Sequence, residues 1–187
     1  MTRWQPDARG RLTLAALELY AGQGYDRTTV AEIAARAGLT ERTFFRHFSD
    51  KREVLFAGGE QLEAAFVEAL AAAPPAATPI EAVAAALDSA AGFFEGRHPF
   101  SSARQAVIDR HVELQERELL KMASLANALT EGLRRRGVPD ALARLTAETG
   151  VTVFRVGFER WVRADRERDM RVLLRETLDE LRAATAG

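Results

Sequence analysis

Cysteine is absent from the 187-residue sequence. This absence excludes a disulfide framework and metal sites built on thiolates, and it fits the reducing cytoplasm in which we expect the protein to reside. Histidine is scarce. His47, His98 and His111 are far apart in sequence, and none of them has the spacing of a known metal-binding motif. The residues therefore predict neither a metal site nor a cofactor site.

Long uncharged apolar runs are also missing. No stretch reaches the roughly 18 apolar residues that a membrane-spanning helix requires. The N-terminal residues, MTRWQPDARGR, lack the apolar segment of a secretory signal peptide. We therefore expect no contact with a membrane and no export.

Sequence motifs of the common enzyme classes are missing too. The chain contains no glycine-rich phosphate loop, no GxSxG nucleophile turn and no HExxH zinc motif. Pairs of carboxylates occur on predicted helices, but their pattern is typical of solvated helix faces. The missing motifs therefore argue against catalysis.

Charge is balanced over the whole chain but not along it. There are 26 lysine and arginine residues against 27 aspartate and glutamate residues, for a net charge of −1. Residues 1–52 hold nine basic and six acidic side chains, a net charge of +3, so the remainder carries −4. A basic segment on an acidic remainder is expected of a protein that touches nucleic acid at one end.

Apolar residues recur at helical spacing along most of the chain, and no segment alternates with the period of a β-strand. The pattern predicts an all-α fold of about nine helices, with 47% hydrophobic residues to form its core. Two short helices are expected between residues 29 and 47. The other helices are predicted at about 9–21, 50–72, 78–95, 101–110, 112–136 and 140–163, with a ninth capped by Asp165.

The two short helices have strong boundary signals. Thr29 and Glu32 have the spacing of a capping box, in which each side chain bonds the other's backbone amide. Gly38 follows the first helix, where the chain must turn, and Thr40 can cap the second. Two short helices joined by a glycine turn form the helix-turn-helix pattern of DNA-binding proteins.

The second short helix, predicted from Thr40 to His47, has two distinct faces. Phe44 and Phe48 are four residues apart and are expected to point inward. The outward set is polar and basic apart from one aromatic residue, and it comprises Glu41, Arg42, Thr43, Phe45, Arg46 and His47. This helix is the one expected to enter the major groove, N-terminus first.

The run from Thr28 to Lys51 resembles the TetR family of bacterial one-component regulators. It has a threonine-rich start, IAxxAG, Thr-x-x-Thr, an aromatic residue, His-Phe, and a lysine that opens the next helix. The resemblance covers roughly residues 9–56. It implies a three-helix DNA-binding domain in residues 1–52, a fourth helix from residue 51 as connector, and an effector-binding and dimerisation domain in residues 53–187.

The resemblance also implies a division of the DNA contacts. Backbone contacts are expected from Thr29, Thr43, His47 and Lys51. Base reading is expected from Glu41, Arg42, Phe45 and Arg46, because arginine suits guanine and glutamate suits the cytosine amino group.

Two of these positions keep an alternative. The family often has tyrosine where this chain has Phe45, so a hydroxyl contact is lost there, although contact with a thymine methyl is retained. Burial with Phe44 and Phe48 is the alternative for Phe45. A capping or core role is the alternative for His47.

The resemblance further implies an effector pocket and a dimer interface in the larger domain. The expected pocket residues are aromatic, histidine, arginine and methionine side chains of the middle helices: Phe93, Phe94, His98, Phe100, Arg104, His111, Met122, Phe154 and Phe158. The expected interface residues lie on the last two helices: Val153, Val156, Trp161, Leu173, Leu174, Leu178 and Leu181. For every one of these residues, plain intramolecular core is the alternative.

We therefore expect a dimeric transcriptional repressor that binds an inverted-repeat operator in double-stranded DNA and is released by a small-molecule effector. Two other functions remain open. One is a helical small-molecule-binding dimer that does not recognise an operator. The other is an architectural DNA binder without sequence preference, against which the near-zero net charge argues.

Overall fold

The computed structural model describes residues 7–164 and 168–185 of the chain. Within these residues the structure contains nine α-helices and no strand, which confirms the all-α prediction. The helices are α1 (Ala8–Gln23), α2 (Val30–Arg36), α3 (Glu41–His47), α4 (Gly59–Ala72), α5 (Pro79–Gly92), α6 (His98–Ile108), α7 (Val112–Arg135), α8 (Asp140–Val162) and α9 (Met170–Thr185). No helix in the described ranges is long and apolar enough to cross a membrane.

The fourth helix differs from its prediction. A short 3₁₀ turn, Glu53–Phe56, stands where the predicted helix begins, and α4 starts only at Gly59. Gly58 separates the two, because its φ of 91° lies outside helical space. Asp50 caps the 3₁₀ turn instead of a long helix, accepting the backbone N–H groups of Arg52 and Glu53 at 2.8 and 3.2 Å. The predicted cap of the ninth helix, Asp165, lies outside the described residues.

The chain divides into two compact units. The head unit comprises the described residues up to Gly58 together with residues 103–118, and the body unit comprises residues 59–102 and the described residues from 119 onward. The head is therefore larger than the predicted domain of residues 1–52, since it includes the 3₁₀ turn, the end of α6 and the start of α7. The assignment of DNA binding and effector binding to separate parts of the chain stays a prediction.

The core of the head unit holds α1, α2 and α3 together. Leu12, Ile33 and Phe44, one from each helix, are completely buried. Leu114, from the start of α7, is also completely buried, as is Ile108 from the end of α6. Each such large apolar side chain contributes roughly 1.5–3 kcal/mol relative to exposure. The second and third helices are only seven residues long, so this burial is needed to hold them.

The body unit packs α4, α5, α8 and α9 around small residues. Ala82, Ala86 and Ala90 line the buried face of α5, and they let neighbouring helices approach closely. A Cβ placed on Gly150 of α8 would lie 2.5 Å from Val83 Cγ1, closer than real Cβ contacts allow. A Cβ on Gly157 would lie 2.6 Å from Leu174 Cδ2 of α9. The two glycines therefore set how closely α8 packs against α5 and α9.

Candidate nucleic-acid interface

The start of α2 and the turn between α2 and α3 have the bonds that the sequence predicts. The Thr29 hydroxyl accepts the backbone N–H of Glu32 at 3.2 Å, and the Glu32 carboxylate accepts the backbone N–H of Thr29 at 2.8 Å. These bonds to Thr29 lower the pKa of Glu32, so the charged form that completes the capping box is favoured. Gly38 adopts a φ of 67°, and the Leu39 amide donates to the Ala34 carbonyl at 2.8 Å. The angle between the two helices is thus fixed by local bonds.

The recognition helix α3 presents one face to the core and one to solvent. Phe44 is 0% exposed and Phe48 is 4% exposed, as expected of inward-facing residues. Phe45 is 55% exposed, which excludes the alternative in which it is buried with them. Glu41, Arg42 and Arg46 are exposed on the same outer side. The structure therefore brings together the four predicted base-reading residues on one accessible face, and their contact with bases stays a prediction.

Three threonines lie at the starts of the two short helices, one at α2 and two at α3. Thr40 caps α3, its hydroxyl accepting the Thr43 backbone N–H at 3.2 Å, and the two hydroxyls lie 3.1 Å apart. Thr29 occupies the equivalent position before α2. Helix N-termini carry partial positive charge and unpaired amides, so this arrangement suits the phosphate contacts predicted for Thr29 and Thr43.

His47 lies in the last turn of α3 and is half-buried. Its Nε2 atom is covered by neighbouring atoms and has no hydrogen-bond partner. No protein group bonds this nitrogen, so the capping alternative is not supported, whereas the half-buried position agrees with the core alternative. The protein therefore leaves His47 Nε2 unused, and the phosphate contact of His47 stays a prediction.

Lys51 does not have the role that the resemblance implies. Its ammonium group donates to the carbonyls of Tyr25, Asp26 and Thr28 at 3.0, 3.4 and 3.2 Å. It also lies 4.3 Å from the centroid of the Tyr25 ring. An ammonium group has three N–H donors, so all of them are used within the head. In this structure Lys51 holds the segment before the 3₁₀ turn against the loop between α1 and α2. Its N–H donors are therefore not free to bond a phosphate.

Two tyrosines complete this tie, and sequence reasoning did not single them out. The Tyr20 hydroxyl donates to the Lys51 carbonyl at 2.6 Å. The Tyr25 ring packs edge-on against Tyr20 at 5.2 Å, and it also contacts His111 from the α6–α7 corner at 5.2 Å. Burial raises the pKa of both hydroxyls, that of Tyr25 to about 12, so both stay neutral near pH 7. Helical spacing flags Tyr20 as core but gives no sign of its partner.

The predicted effector residues separate into two groups. Phe93, Phe94, Phe154 and Phe158 form a continuous cluster of rings in the body unit, with centroid separations of 5.2–6.0 Å. Trp161 joins the cluster at 5.6 Å from Phe94. His98 packs against Trp161 at 4.9 Å and donates from Nε2 to its backbone carbonyl at 2.9 Å. Met122 is half-buried against the same core, and Phe100 is half-buried in α6.

Arg104 and His111 do not belong to this cluster, because they lie in the head unit. Arg104 Nε donates to the Leu55 carbonyl at 2.6 Å, and Nη1 pairs with Glu118 at 3.2 Å. Its guanidinium also lies 4.9 Å from the Phe56 ring centroid. Burial lowers the pKa of Arg104, and the Glu118 carboxylate opposes that effect. Arg104 therefore holds the α6–α7 corner to the 3₁₀ turn, which corrects its predicted role as a pocket residue.

Most of the predicted interface residues are intramolecular core. Five of the seven are 1–4% exposed within a single chain, so a partner has nothing left to cover: Val153, Trp161, Leu173, Leu174 and Leu178. Leu181 is half-buried, and Val156 is 41% exposed. The accessible face of α8 lies opposite its core face and carries Leu145, Thr149, Thr152 and Val156 at spacings of four, three and four residues. We call these four residues the α8 stripe.

A groove of about 530 Å³ lies in the body unit between the end of α8 and the start of α9. Three arginines line it, and each is paired with a glutamate: Arg160 with Glu180 at 2.9 Å, Arg163 with Glu159 at 2.6 Å, and Arg168 with Glu176 at 2.9 Å. Because these charges are neutralised within the chain, the groove is not a strong anion site.

Two family models match the chain. The model for bacterial regulatory proteins of the tetR family matches residues 12–57, and the model for the MftR C-terminal domain matches residues 77–186, more than half of the chain. The chain is a member of the TetR family of transcriptional regulators. Regulators of this family bind operator DNA as dimers and bind small-molecule effectors.

Individual relatives agree with this membership. The HTH-type transcriptional regulator TcmR of Streptomyces glaucescens is 39% identical over 84 residues, which are 45% of this chain and 37% of TcmR. The fatty acid metabolism regulator protein of Bacillus subtilis is 25% identical over 174 residues, covering 89% of this chain and 90% of that protein. The structure of FadR from Bacillus subtilis in complex with stearoyl-CoA shares the fold, with a TM-score of 0.58 and 24% identity over 92% of this chain and 96% of that one. These proteins are regulators, not enzymes.

The bonds of Lys51 give a prediction about stability. Lys51→Met keeps the side-chain stem but leaves three carbonyls without their donor and removes the cation from the Tyr25 ring. We expect the free energy of unfolding to fall by about 1–3 kcal/mol. Urea denaturation of the free protein measures this change. Arg42→Ala, which removes an exposed cation from α3, is the control and should change stability by less than about 0.5 kcal/mol. Equal stability of Lys51→Met and the unsubstituted protein would contradict the structural role.

Proposed function

We propose that this protein is a cytoplasmic repressor that binds an inverted-repeat operator as a homodimer and leaves it when an effector binds the body unit. The outer face of α3 carries the proposal: Glu41, Arg42, Phe45 and Arg46 are accessible together, while Phe44 and Phe48 fix the helix from below. The exposed phenylalanine ring is unfavourable in the free protein, because its apolar surface is hydrated. Contact with a thymine methyl would remove part of that surface from water.

The recognition face predicts a base preference. Arg42 sits in the first turn of α3, the part of a recognition helix that reaches base edges. Selection of bound sites from random duplexes should recover an inverted repeat with half-sites about one helical turn apart. Arg42→Ala should relax the preference at one position in each half-site, at a cost of about 1–3 kcal/mol each.

Arg144→Ala is the matched control, since it removes an exposed arginine from α8 in the body unit. It should leave the selected sequence unchanged. Recovery of no preferred sequence by the unsubstituted protein, with equal binding to every duplex, would favour the architectural binder instead. Absence of DNA binding would favour the small-molecule-binding dimer.

The α8 stripe is the surface that we assign to dimerisation. Leu145 is 67% exposed and Val156 is 41% exposed, and the threonines between them carry no charge. A neutral, partly apolar strip on a helix face that is not used by the core suits pairing with the same strip of a second copy, as a twofold interface requires. Two heads on one dimer then supply the affinity that a single head lacks.

Charge on the stripe should break the dimer. The double variant Leu145→Glu/Val156→Glu places four carboxylates in a twofold interface, so we expect a monomer at micromolar concentration by light scattering. Val112→Glu/Leu119→Glu is the matched control, because these α7 residues are also apolar and at least as exposed, at 68% and 56%. It should remain dimeric. The stripe would lose its assigned role if the first variant stayed dimeric or the second alone dissociated.

We infer that the effector is a fatty acyl-CoA. A relative that is 25% identical over 89% of this chain is a regulator of fatty acid metabolism, and a FadR of the same fold was solved with stearoyl-CoA. The ring cluster of Phe94, Phe154, Phe158 and Trp161 has the apolar and aromatic character that an acyl chain needs. Phe94, Phe154 and Trp161 are buried in this structure, so an acyl chain would have to part the rings to enter.

Trp161 offers a direct readout of this binding. Trp4→Phe leaves Trp161 as the single tryptophan of the chain. Stearoyl-CoA should change its fluorescence saturably and release the protein from operator duplex over the same concentration range. Free CoA is the control and should do neither at equal concentration. The acyl-CoA assignment fails if stearoyl-CoA changes neither signal.

A further inference from the structure

We propose that Arg9, at the start of α1, is a further DNA-phosphate ligand that acts together with His47 across the ring of Phe48. This inference rests on the proposed function, because it extends the DNA-binding surface of the head beyond α3. It assigns to α1 a contact that the helix-turn-helix pattern does not include.

The first observation is a set of unsatisfied polar atoms. Among the described side chains, three nitrogen atoms are covered and lack any hydrogen-bond partner: Arg9 Nε, Arg11 Nε and His47 Nε2. All three lie in the head unit. A buried donor without an acceptor costs about 1–3 kcal/mol, so such atoms are rare in native proteins, and a partner supplied from outside is one explanation for them.

The second observation is that Arg9 and His47 flank the same ring. The Arg9 guanidinium carbon lies 5.5 Å from the centroid of Phe48, and the His47 ring lies 6.5 Å from it. Phe48 is buried at the end of α3, so it is a fixed platform. The start of α1 and the end of α3 therefore present two nitrogen donors around one anchored side chain.

Charge supports the same site. Two other arginines of the head are paired, Arg36 with Glu18 and Arg52 with Asp50, both at 2.7 Å. Within the described residues Arg9 has no ion pair, and the nearest carboxylate in sequence, Asp7, accepts the Gly10 backbone N–H at 2.8 Å. No carboxylate among the described residues therefore neutralises the Arg9 guanidinium, and the Phe48 ring next to it limits its motion.

Phosphate chemistry fits these donors. A phosphodiester has two unesterified oxygens, and charge-assisted bonds from guanidinium and imidazole N–H groups to such oxygens are short and strong. Arg9 and His47 are half-buried, so part of each side chain already meets solvent. The proposed contact requires each side chain to change rotamer and uncover its nitrogen. Arg11 does not share the site, because two residues along a helix place it about 200° around the axis from Arg9.

A phosphate contact has a signature that differs from base reading. It carries no sequence information, so its loss weakens binding to every duplex by the same factor. It also releases counterions, so its loss lowers the slope of log K against log salt by about 0.9 for each head. Arg9 is therefore expected to set affinity and salt dependence without affecting which sequence is preferred.

The experiment measures binding of labelled duplexes by fluorescence anisotropy between about 50 and 200 mM salt. The dimeric full-length protein is used, with the selected operator and with a random duplex. Arg9→Gln should lower the salt slope by about 0.9 for each head and weaken both duplexes equally. Arg9→Lys keeps the charge and should restore most of the slope. Arg11→Gln, with the same charge change on the other side of α1, should leave the slope unchanged.

A double-mutant cycle tests the shared phosphate. Arg9→Gln and His47→Ala should be less than additive when combined, because either substitution removes part of one contact. Thermal unfolding of each variant separates binding loss from loss of the fold. An unchanged slope in Arg9→Gln, an equal loss in Arg11→Gln, or additive effects with His47→Ala would overturn the inference while operator binding stands. If the unsubstituted protein binds neither duplex, the proposed function and this inference fail together.

Discussion

Burial of the Phe44 side chain, on the inner face of the seven-residue helix α3, is the constraint on which the recognition surface depends. A helix of this length has too few hydrogen bonds to persist alone in water. Three supports compensate: the Thr40 cap at its start, the Gly38 turn before it, and the apolar contacts of Phe44 and Phe48. Because all three lie on the inner side or at the start of α3, the exposed Arg42 and Arg46 take no part in these supports. Their identity is therefore free to vary with the DNA sequence, as the proposed base reading requires.

The signals that sequence carries about the head are mostly local, and they were the ones that could be predicted. A capping box joins residues three apart, and a glycine turn is a property of one position, so Thr29, Glu32 and Gly38 are recognisable from the chain itself. Lys51 shows where such reasoning ends. Its three acceptors are backbone carbonyls more than twenty residues away, and no side-chain pattern marks a carbonyl. A motif alone therefore predicts that this lysine is available for DNA, whereas in the structure its donors are already used.

In the body unit the sequence showed which residues of α8 and α9 are apolar, but not which helix face packs into the core. Apolar periodicity predicted α8 and α9 to within a few residues, since long amphipathic helices repeat their pattern many times. It does not say which of two apolar faces meets the chain's own core. Gly150 and Gly157 settle this for α8, because the absence of a Cβ brings that face against Val83 and Leu174. Leu145 and Val156 are left on the opposite face. They are as apolar as Val153 and Trp161, and only burial in the structure distinguishes the two pairs.

Arg104 and the 3₁₀ turn show a third kind of limit. Helical spacing continues smoothly from residue 50 to 72, so a single long helix was the natural prediction. The structure interrupts it at Gly58, and the interruption exposes the Leu55 carbonyl to the Arg104 guanidinium at 2.6 Å. A buried guanidinium requires acceptors on several sides, and a regular helix would have used that carbonyl within its own ladder. The break in the helix frees the Leu55 carbonyl, and the Arg104 guanidinium bonds that carbonyl. Because the two features depend on each other, predicting them separately misplaced both.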